Sequence, residues 1–319
     1  MTKKMKKIWA ALLAAAMLLG LSACSGESDG SDENIIPESS GGKEISRSAA
    51  ADKVFSLNSN SNYSFNPLIA TNHANQLICD LVYEDMVVLD NNFELVEGAG
   101  VIVSGTPNED GTVWEFKIEP GHTFHDGSPV TARDLSYSLG AAIYADRYKG
   151  RFSSFKGASA TDEVLQVSLG IGDMQFIKLL DIPIIKSGSY GEKRPMGSGP
   201  YTYNEDGTAL VAYEGYHSYD TLPVDTIYLK EYQTADSIIS AFEDSLIDVV
   251  QNDPSSYTNL GFASTNETHS FATTNMHYVA FNEDGGLTQS ALFRVAMQYA
   301  FDREYLVELL NGNGVATAI

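Results

Sequence analysis

The chain has 319 residues, with 20 lysines and arginines against 42 aspartates and glutamates, and a net charge of −22. Nucleic acid and anionic lipid are also negatively charged, so this balance excludes both as expected partners of the folded part. The length suggests two domains once the N-terminal segments described next are set aside.

The first 23 residues have the pattern of a bacterial signal sequence. Four lysines precede an apolar run, residues 8–20, which is shorter than the about 20 residues that a membrane-spanning helix needs. The tetrapeptide Leu21-Ser22-Ala23-Cys24 resembles a lipobox, which implies that Cys24 is the lipidated first residue of the mature protein. An ordinary secreted protein with a chance cysteine is the alternative. Cys79 then has no disulfide partner, and its apolar neighbours predict a buried thiol.

A polar segment follows the signal sequence, over residues 24–51. Serine, glycine and acidic residues dominate it, and such a composition does not bury enough apolar surface to fold. We expect a disordered tether with an end-to-end distance of roughly 25–30 Å. The folded part is therefore expected from residue 52 onward.

The first predicted elements alternate between strands and helices. Residues 53–57 read as a strand, a loop rich in asparagine and serine follows, and residues 75–83 have helical apolar spacing. Residues 86–89 read as a second strand. The clearest strand is 112–118, in which alternate residues are apolar.

Thr131 and Asp134 have the spacing of a capping box, which predicts a helix over residues 132–144. The irregular alternation of strands and helices favours the α/β class. The remaining predicted elements are strand 164–169, a helical stretch 174–180, strands 201–203 and 209–213, strand 227–229, a helix capped by Thr234, strands 247–250 and 276–282, and a long helix 288–310.

Five segments, in chain order, resemble motifs of the extracytoplasmic solute-binding proteins of the peptide/nickel ABC importer family. Two substitutions depart from the family pattern, since Asp85 and Ser245 stand where the family has glycine. The segments are Phe65-Asn66-Pro67-Leu68 with Val82-Tyr83-Glu84-Asp85-Met86-Val87, then Trp114 to Ile118 with Phe124-His125-Asp126-Gly127-Ser128-Pro129-Val130-Thr131-Ala132-Arg133-Asp134, then Gly197-Ser198-Gly199-Pro200-Tyr201, then Ala241 to Asp248, and lastly Phe281-Asn282 with Phe293 to Arg303.

The resemblance implies an α/β, periplasmic-binding-protein-like (type II) fold, in which two lobes enclose a ligand cleft and one lobe carries an extra inserted domain. The first lobe is expected to combine residues 52–83 with 182–282, and the inserted domain to occupy 84–181. Residues 283–319 would begin a second lobe that is largely missing. The chain is therefore expected to be a truncation, a split-gene half or an incomplete record.

The resemblance also directs attention to the loop after the first strand. The candidate ligand-binding residues there are Asn58, Ser59, Asn60 and Asn62, although asparagine and serine are also ordinary turn residues. In the inserted domain, aromatic residues that follow the capped helix could line the cleft or pack in the core. The candidates are Tyr148 and Phe152, with Tyr144 nearby.

Two other kinds of site are not expected. His122 and His125, with the adjacent Asp126, could be read as a metal pair, but the family signature predicts a structural turn there, so we expect no metal and no other cofactor. The sequence around Gly197 fails the G-x-S-x-G nucleophile motif, and no other motif argues for catalysis.

The resemblance implies a lipid-anchored receptor on the extracytoplasmic face of a bacterial cell membrane, which works as a monomer and delivers its solute to the permease subunits of an ABC transporter. Peptides are the first expected ligand class, followed by oligosaccharide, nickel chelate and haem. The alternative function is a lipid-anchored extracellular hydrolase or a surface adhesin.

Overall fold

The described part of the chain in the computed structural model is residues 54–253, 260–261, 267–269, 276–309 and 314–316. The predicted signal sequence, Cys24 and the tether lie outside the described residues. In chain order, the strands and helices are β1 (Val54–Ser59), α1 (His73–Val82), β2 (Ile102–Pro107), β3 (Val113–Ile118), α2 (Ala132–Ala142), β4 (Phe155–Ala160), β5 (Val164–Leu169), β6 (Tyr201–Tyr203), β7 (Ala209–Ala212), β8 (Thr226–Glu231), α3 (Ala235–Glu243), α4 (Ala291–Ala300) and α5 (Arg303–Leu309).

The first sheet has the order β1-β8-β7-β6. Strand β1 runs parallel to β8, while β7 runs antiparallel to both β8 and β6. On the outer edge of β1, the backbone N–H of Asp248 donates to the carbonyl of Ser56 at 2.8 Å, and Leu57 and Val249 form a single parallel bridge. The predicted strand 247–250 is therefore reduced to one bridge beside β1.

The second sheet has the order β2-β3-β5-β4 and is antiparallel throughout. It lies wholly within residues 102–169, inside the segment 84–181 for which the resemblance predicts an inserted domain. The predicted alternation of β3 is confirmed, because Trp114 and Phe116 are buried while Glu115 between them is exposed. Helix α2 packs on this sheet against β4 and β5, with Leu135 and Leu139 fully buried.

Two predicted helices are confirmed by their ends and buried faces. The backbone N–H of Thr131 donates to the Asp134 carboxylate at 3.0 Å, so the predicted capping box begins α2. Helix α1 buries one face that includes Cys79. Burial raises the pKa of the Cys79 thiol to about 12, which fits the predicted buried thiol. Among the described residues, no helix has the length and apolar character needed to cross a membrane.

The prediction of a single long helix over residues 288–310 is wrong. A short 3₁₀ turn, Gly286–Gln289, precedes α4, and a break separates α4 from α5. Phe301 is extended, with φ −85° and ψ 114°. The carboxylate of Asp302 then accepts the N–H of Tyr305 at 3.0 Å. This is the capping chemistry that starts a new helix, and it competes with continuation of the first.

Three other predicted elements differ in the structure. Residues 86–89 form no regular strand, although the N–H of Met86 donates to Ile182 at 3.0 Å and its carbonyl accepts from Ile102 at 2.8 Å. Residues 276–282 are not in a strand either, and Tyr278 there is 70% exposed. The helical stretch 174–180 shortens to the 3₁₀ turn Phe176–Leu179.

A close backbone contact joins α1 to the start of β6. The N–H of Gly199 donates to the carbonyl of Val82, the last residue of α1, at 2.9 Å. A Cβ placed on Gly197 would lie 2.2 Å from the carbonyl oxygen of Val82, and one on Gly199 would lie 2.6 Å from its carbonyl carbon. Only glycine fits at either position, which explains the G-S-G sequence of this turn.

We expect Gly199→Ala to lower the free energy of unfolding by about 3 kcal/mol or more, because the new methyl group meets backbone atoms that have no room to move. Gly140→Ala is the matched control. Gly140 lies within α2 with open space around it, so alanine there should stabilise the protein by roughly 0.5–1 kcal/mol. Urea unfolding of the three proteins measures both values. Equal stability of Gly199→Ala and the wild type would contradict the proposed contact.

Candidate solute-binding surface

The loop after β1 is held in place by one buried side chain, Asn75 of α1. Its Oδ1 accepts the N–H of Asn60 at 2.9 Å, and its Nδ2 donates to the carbonyls of Asn60 at 2.9 Å and Ser64 at 3.2 Å. Asn75 is fully buried, so water does not compete for the groups in these hydrogen bonds. The helix therefore sets the shape of the loop through a single amide group.

Two of the four predicted ligand-binding residues, Asn58 and Ser59, lie at the end of β1 and not in the loop after it. They and Asn60 use their side chains to bond to the scaffold. Asn58 accepts the N–H of Tyr232 at 3.0 Å, and the hydroxyl of Ser59 donates to the carbonyl of Lys230 at 3.2 Å. The side-chain oxygen of Asn60 accepts the N–H of Asn62 at 3.1 Å. These bonds are ordinary turn and edge chemistry, and a role for the three side chains in ligand binding stays a prediction.

The fourth residue, Asn62, borders an open depression of about 470 Å³ that is lined by residues 62–64, Ile69 and residues 190–193. Tyr63 and Ile69 are exposed there by 47% and 43%, and Lys193 supplies a cationic group. The two walls are tied together, since the N–H of Phe65 donates to the carbonyl of Lys193 at 3.1 Å and the ammonium of Lys193 donates to the carbonyl of Ser61. The surface thus combines an amide, apolar side chains and a charge.

The two aromatic candidates of the second sheet region are buried. Tyr148 is 3% exposed and Phe152 is 5% exposed. The guanidinium groups of Arg147 and Arg151 lie 5.3 Å from the centre of the Tyr148 ring, and Phe152 packs edge-on against Phe176 at 6.2 Å. Burial raises the pKa of Tyr148 to about 12. Their positions match the core-packing alternative, and contact with a ligand stays a prediction for both.

The structure separates His122, His125 and Asp126, the residues that the sequence offered as a possible metal site. His125 lies against the glycine turn, where its Nε2 donates to the carbonyl of Gly199 at 3.1 Å, and burial lowers its pKa. Asp126 accepts the N–H of Ser128 at 3.0 Å and the ammonium of Lys186, and these hydrogen bonds, with that of Lys186 foremost, hold the pKa of its carboxyl well below the usual range. The predicted structural turn is confirmed for Asp126.

His122 instead meets two residues that the sequence analysis did not select. Its Nδ1 lies 2.8 Å from Oε1 of Glu84, and Nε2 of His217 lies 3.3 Å from the same oxygen. Glu84 and His122 are each 9% exposed. The three residues are far apart in the sequence, so no local spacing could have identified them, and only the folded chain brings them together.

The family model for bacterial extracellular solute-binding proteins, family 5 Middle, matches residues 95–318. The oligopeptide-binding protein AppA of Bacillus subtilis (strain 168) is 23% identical over 275 residues, which cover 78% of this chain and 50% of AppA. The chain thus spans about half the length of this relative.

Two solved structures share the fold. AppA in complex with a nonapeptide gives a TM-score of 0.50 at 21% identity, over 61% of this chain and 43% of that one. NikZ from Campylobacter jejuni, in complex with Ni(L-His), gives 0.54 at 16% identity, over 82% and 55%. The predicted α/β, periplasmic-binding-protein-like fold is confirmed by these similarities.

We expect Asn75→Ala to destabilise the protein by about 3 kcal/mol, because three hydrogen bonds are lost and buried backbone groups of the loop are left without partners. Gln76→Ala on the same helix is the control. Its side chain makes one hydrogen bond, from Nε2 to the carbonyl of Ala70 at 2.8 Å, so the expected loss is about 1 kcal/mol. Urea unfolding measures both changes. A loss no larger for Asn75→Ala than for Gln76→Ala would contradict the role of Asn75.

Proposed function

The chain belongs to family 5 of the bacterial extracellular solute-binding proteins, and on this premise we propose that it is a lipid-anchored receptor that captures a peptide outside the cytoplasm and delivers it to an ABC importer. The family match over residues 95–318 is the observation that carries the proposal. The permease subunits of the importer are the proposed protein partners, and the receptor is proposed to act as a monomer. Solute capture is the general activity of the family, and the peptide, the anchor and the importer are the proposed details.

Peptide is the favoured solute for two reasons. The relative AppA is an oligopeptide-binding protein, and the depression beside the loop after β1 offers groups that suit a peptide. The Asn62 amide and the nearby backbone are suited to main-chain hydrogen bonds, while Tyr63 and Ile69 offer exposed apolar surface for ligand side chains. The ammonium of Lys193 is suited to a carboxylate. Oligosaccharide, nickel chelate and haem remain the competing solutes.

The alternative function, a lipid-anchored hydrolase or a surface adhesin, is less well supported. The family is one of solute-binding receptors, and the sequence carries no nucleophile motif. We therefore propose that the protein is not an enzyme and carries no cofactor for catalysis.

The location outside the cytoplasm follows from membership of an extracellular solute-binding family. The anchor is a further proposal that depends on Cys24 in its lipobox-like context. A diacylated cysteine holds a protein at a membrane because each buried methylene adds to the affinity. The polar segment 24–51 would then hold the folded domain away from the membrane surface.

We expect a random peptide library to raise the melting temperature of the purified protein, since ligand at 100 times the dissociation constant stabilises the native state by about 2.7 kcal/mol. Oligosaccharides, a nickel–histidine chelate and haem serve as parallel arms. Asn62→Ala should weaken peptide binding roughly fivefold, which corresponds to about 1 kcal/mol for one lost hydrogen bond. Asn91→Ala, at an exposed position before β2, is the matched control and should bind as the wild type does.

The arms of this experiment separate the possible results. A shift with one of the other solutes and none with peptide would overturn the peptide assignment and keep the receptor. No shift with any solute, together with turnover of a hydrolase substrate, would overturn the receptor itself.

We expect Cys24→Ala to abolish lipidation, so that the protein is released or stays uncut at the membrane. The wild type should enter the detergent phase on phase partitioning, and metabolic labelling with a radioactive fatty acid should mark the wild type and not Cys24→Ala. Cys79→Ala is the control and should be labelled, because it keeps Cys24 and removes only a thiol that is buried in the fold. A wild type that partitions into the aqueous phase would contradict the anchor.

A further inference from the structure

Three side chains from separate parts of the chain converge away from the solute-binding depression. Glu84 follows the end of α1, His122 lies in the turn after β3, and His217 lies in the loop after β7. Each offers one ligand atom, and the three atoms all lie within 4.8 Å of one another. A carboxylate with two imidazoles is a donor set that suits zinc.

One oxygen of Glu84 has a partner and the other does not. Oε1 faces both imidazoles, at 2.8 Å from His122 and 3.3 Å from His217. Oε2 is buried and has no hydrogen-bond partner among the described residues. A buried carboxylate oxygen without a partner is costly, and a cation beside it would remove that cost.

The orientation of His217 also suits a metal. Its Nδ1 lies 2.8 Å from the hydroxyl of Ser218, which leaves Nε2 directed at Glu84. An outer hydrogen bond of this kind fixes the tautomer and the ring direction of metal-binding histidines. The imidazole also packs against the ring of Tyr216, with the centroids 4.2 Å apart.

The geometry is open enough for an ion to enter. The side chain of His217 is 38% exposed, while that of Glu84 is 8% exposed. Ligand atoms at about 2.1 Å from a tetrahedral zinc ion lie about 3.4 Å apart. The Glu84–His217 distance of 3.3 Å already matches this spacing, while the Glu84–His122 contact of 2.8 Å must lengthen when an ion enters. The side chain of His217 is the most exposed of the three and has the most room to adjust, and water would take the fourth position.

We propose that Glu84, His122 and His217 form a binding site for a single divalent zinc ion, distinct from the solute-binding depression. The site would join the end of α1 to the turn after β3 and to the loop after β7. The proposal does not depend on the solute or on the importer.

The test is calorimetric titration of the purified protein with zinc chloride after removal of metals by chelation. We expect one equivalent of zinc to bind with a micromolar or tighter dissociation constant. His217→Ala should weaken binding at least about 100-fold, since even outer partners of metal ligands contribute 10- to 100-fold. His73→Ala is the matched control, because His73 is an exposed histidine on α1 outside the cluster. It should leave the affinity unchanged.

Cobalt(II) gives a second readout that does not depend on stability. The wild type should give the intense visible absorption of a four- or five-coordinate cobalt site, and His217→Ala should give only the weak spectrum of hydrated cobalt. Glu84→Gln should also lose the absorption, and the His217 variant keeps the test valid where the buried Glu84 variant does not fold. Absence of saturable zinc binding by the wild type, or equal affinity in His217→Ala, would overturn the proposal.

Discussion

The fold depends on a backbone contact that leaves no space for a side chain at two positions. Gly197 and Gly199 bring the turn before β6 directly onto the carbonyl of Val82 at the end of α1. The next residues of the chain leave α1 and lead toward the second sheet. A glycine turn therefore fixes the junction between the two sheets, and any Cβ there would push them apart.

Two of the recognisable motifs of the chain meet at this junction and have a structural role. The backbone N–H of His125 donates to the carbonyl of Gly197 at 3.0 Å, and the His125 ring bonds to that of Gly199. The hydroxyl of Tyr213 donates to the carbonyl of Phe124 at 2.7 Å. These residues identify the family because they build its scaffold. The loop of residues 60–64, which we propose to contact the solute, keeps its shape through hydrogen bonds to Asn75 of the same scaffold.

Whether a feature could be predicted from the sequence depends on how far apart along the chain its interacting residues lie. The alternation in β3 and the Thr131–Asp134 cap are local, and both predictions were confirmed. Strands β2 and β4 were missed because they form the edges of their sheet, where exposed residues interrupt the apolar pattern. The prediction of one long helix over 288–310 was wrong because the apolar periodicity of the sequence continues across the break between the two helices. Asp302 starts the second helix there through a local hydrogen bond.

The Glu84 cluster illustrates the opposite limit, since it depends on long-range contacts alone. Their closeness in the sequence suggested His125 and Asp126 as partners of His122. In the structure, however, the His125 ring bonds to the carbonyl of Gly199, and the Asp126 carboxylate bonds to Lys186. The glycine contact that fixes Val82 also fixes Glu84, two residues later, and thereby presents a carboxylate to both histidines. An ion there would bind side chains that the junction already holds, so part of the ordering entropy is lost before the ion arrives. The junction that excludes side chains at Gly197 and Gly199 therefore also preorganises Glu84, His122 and His217.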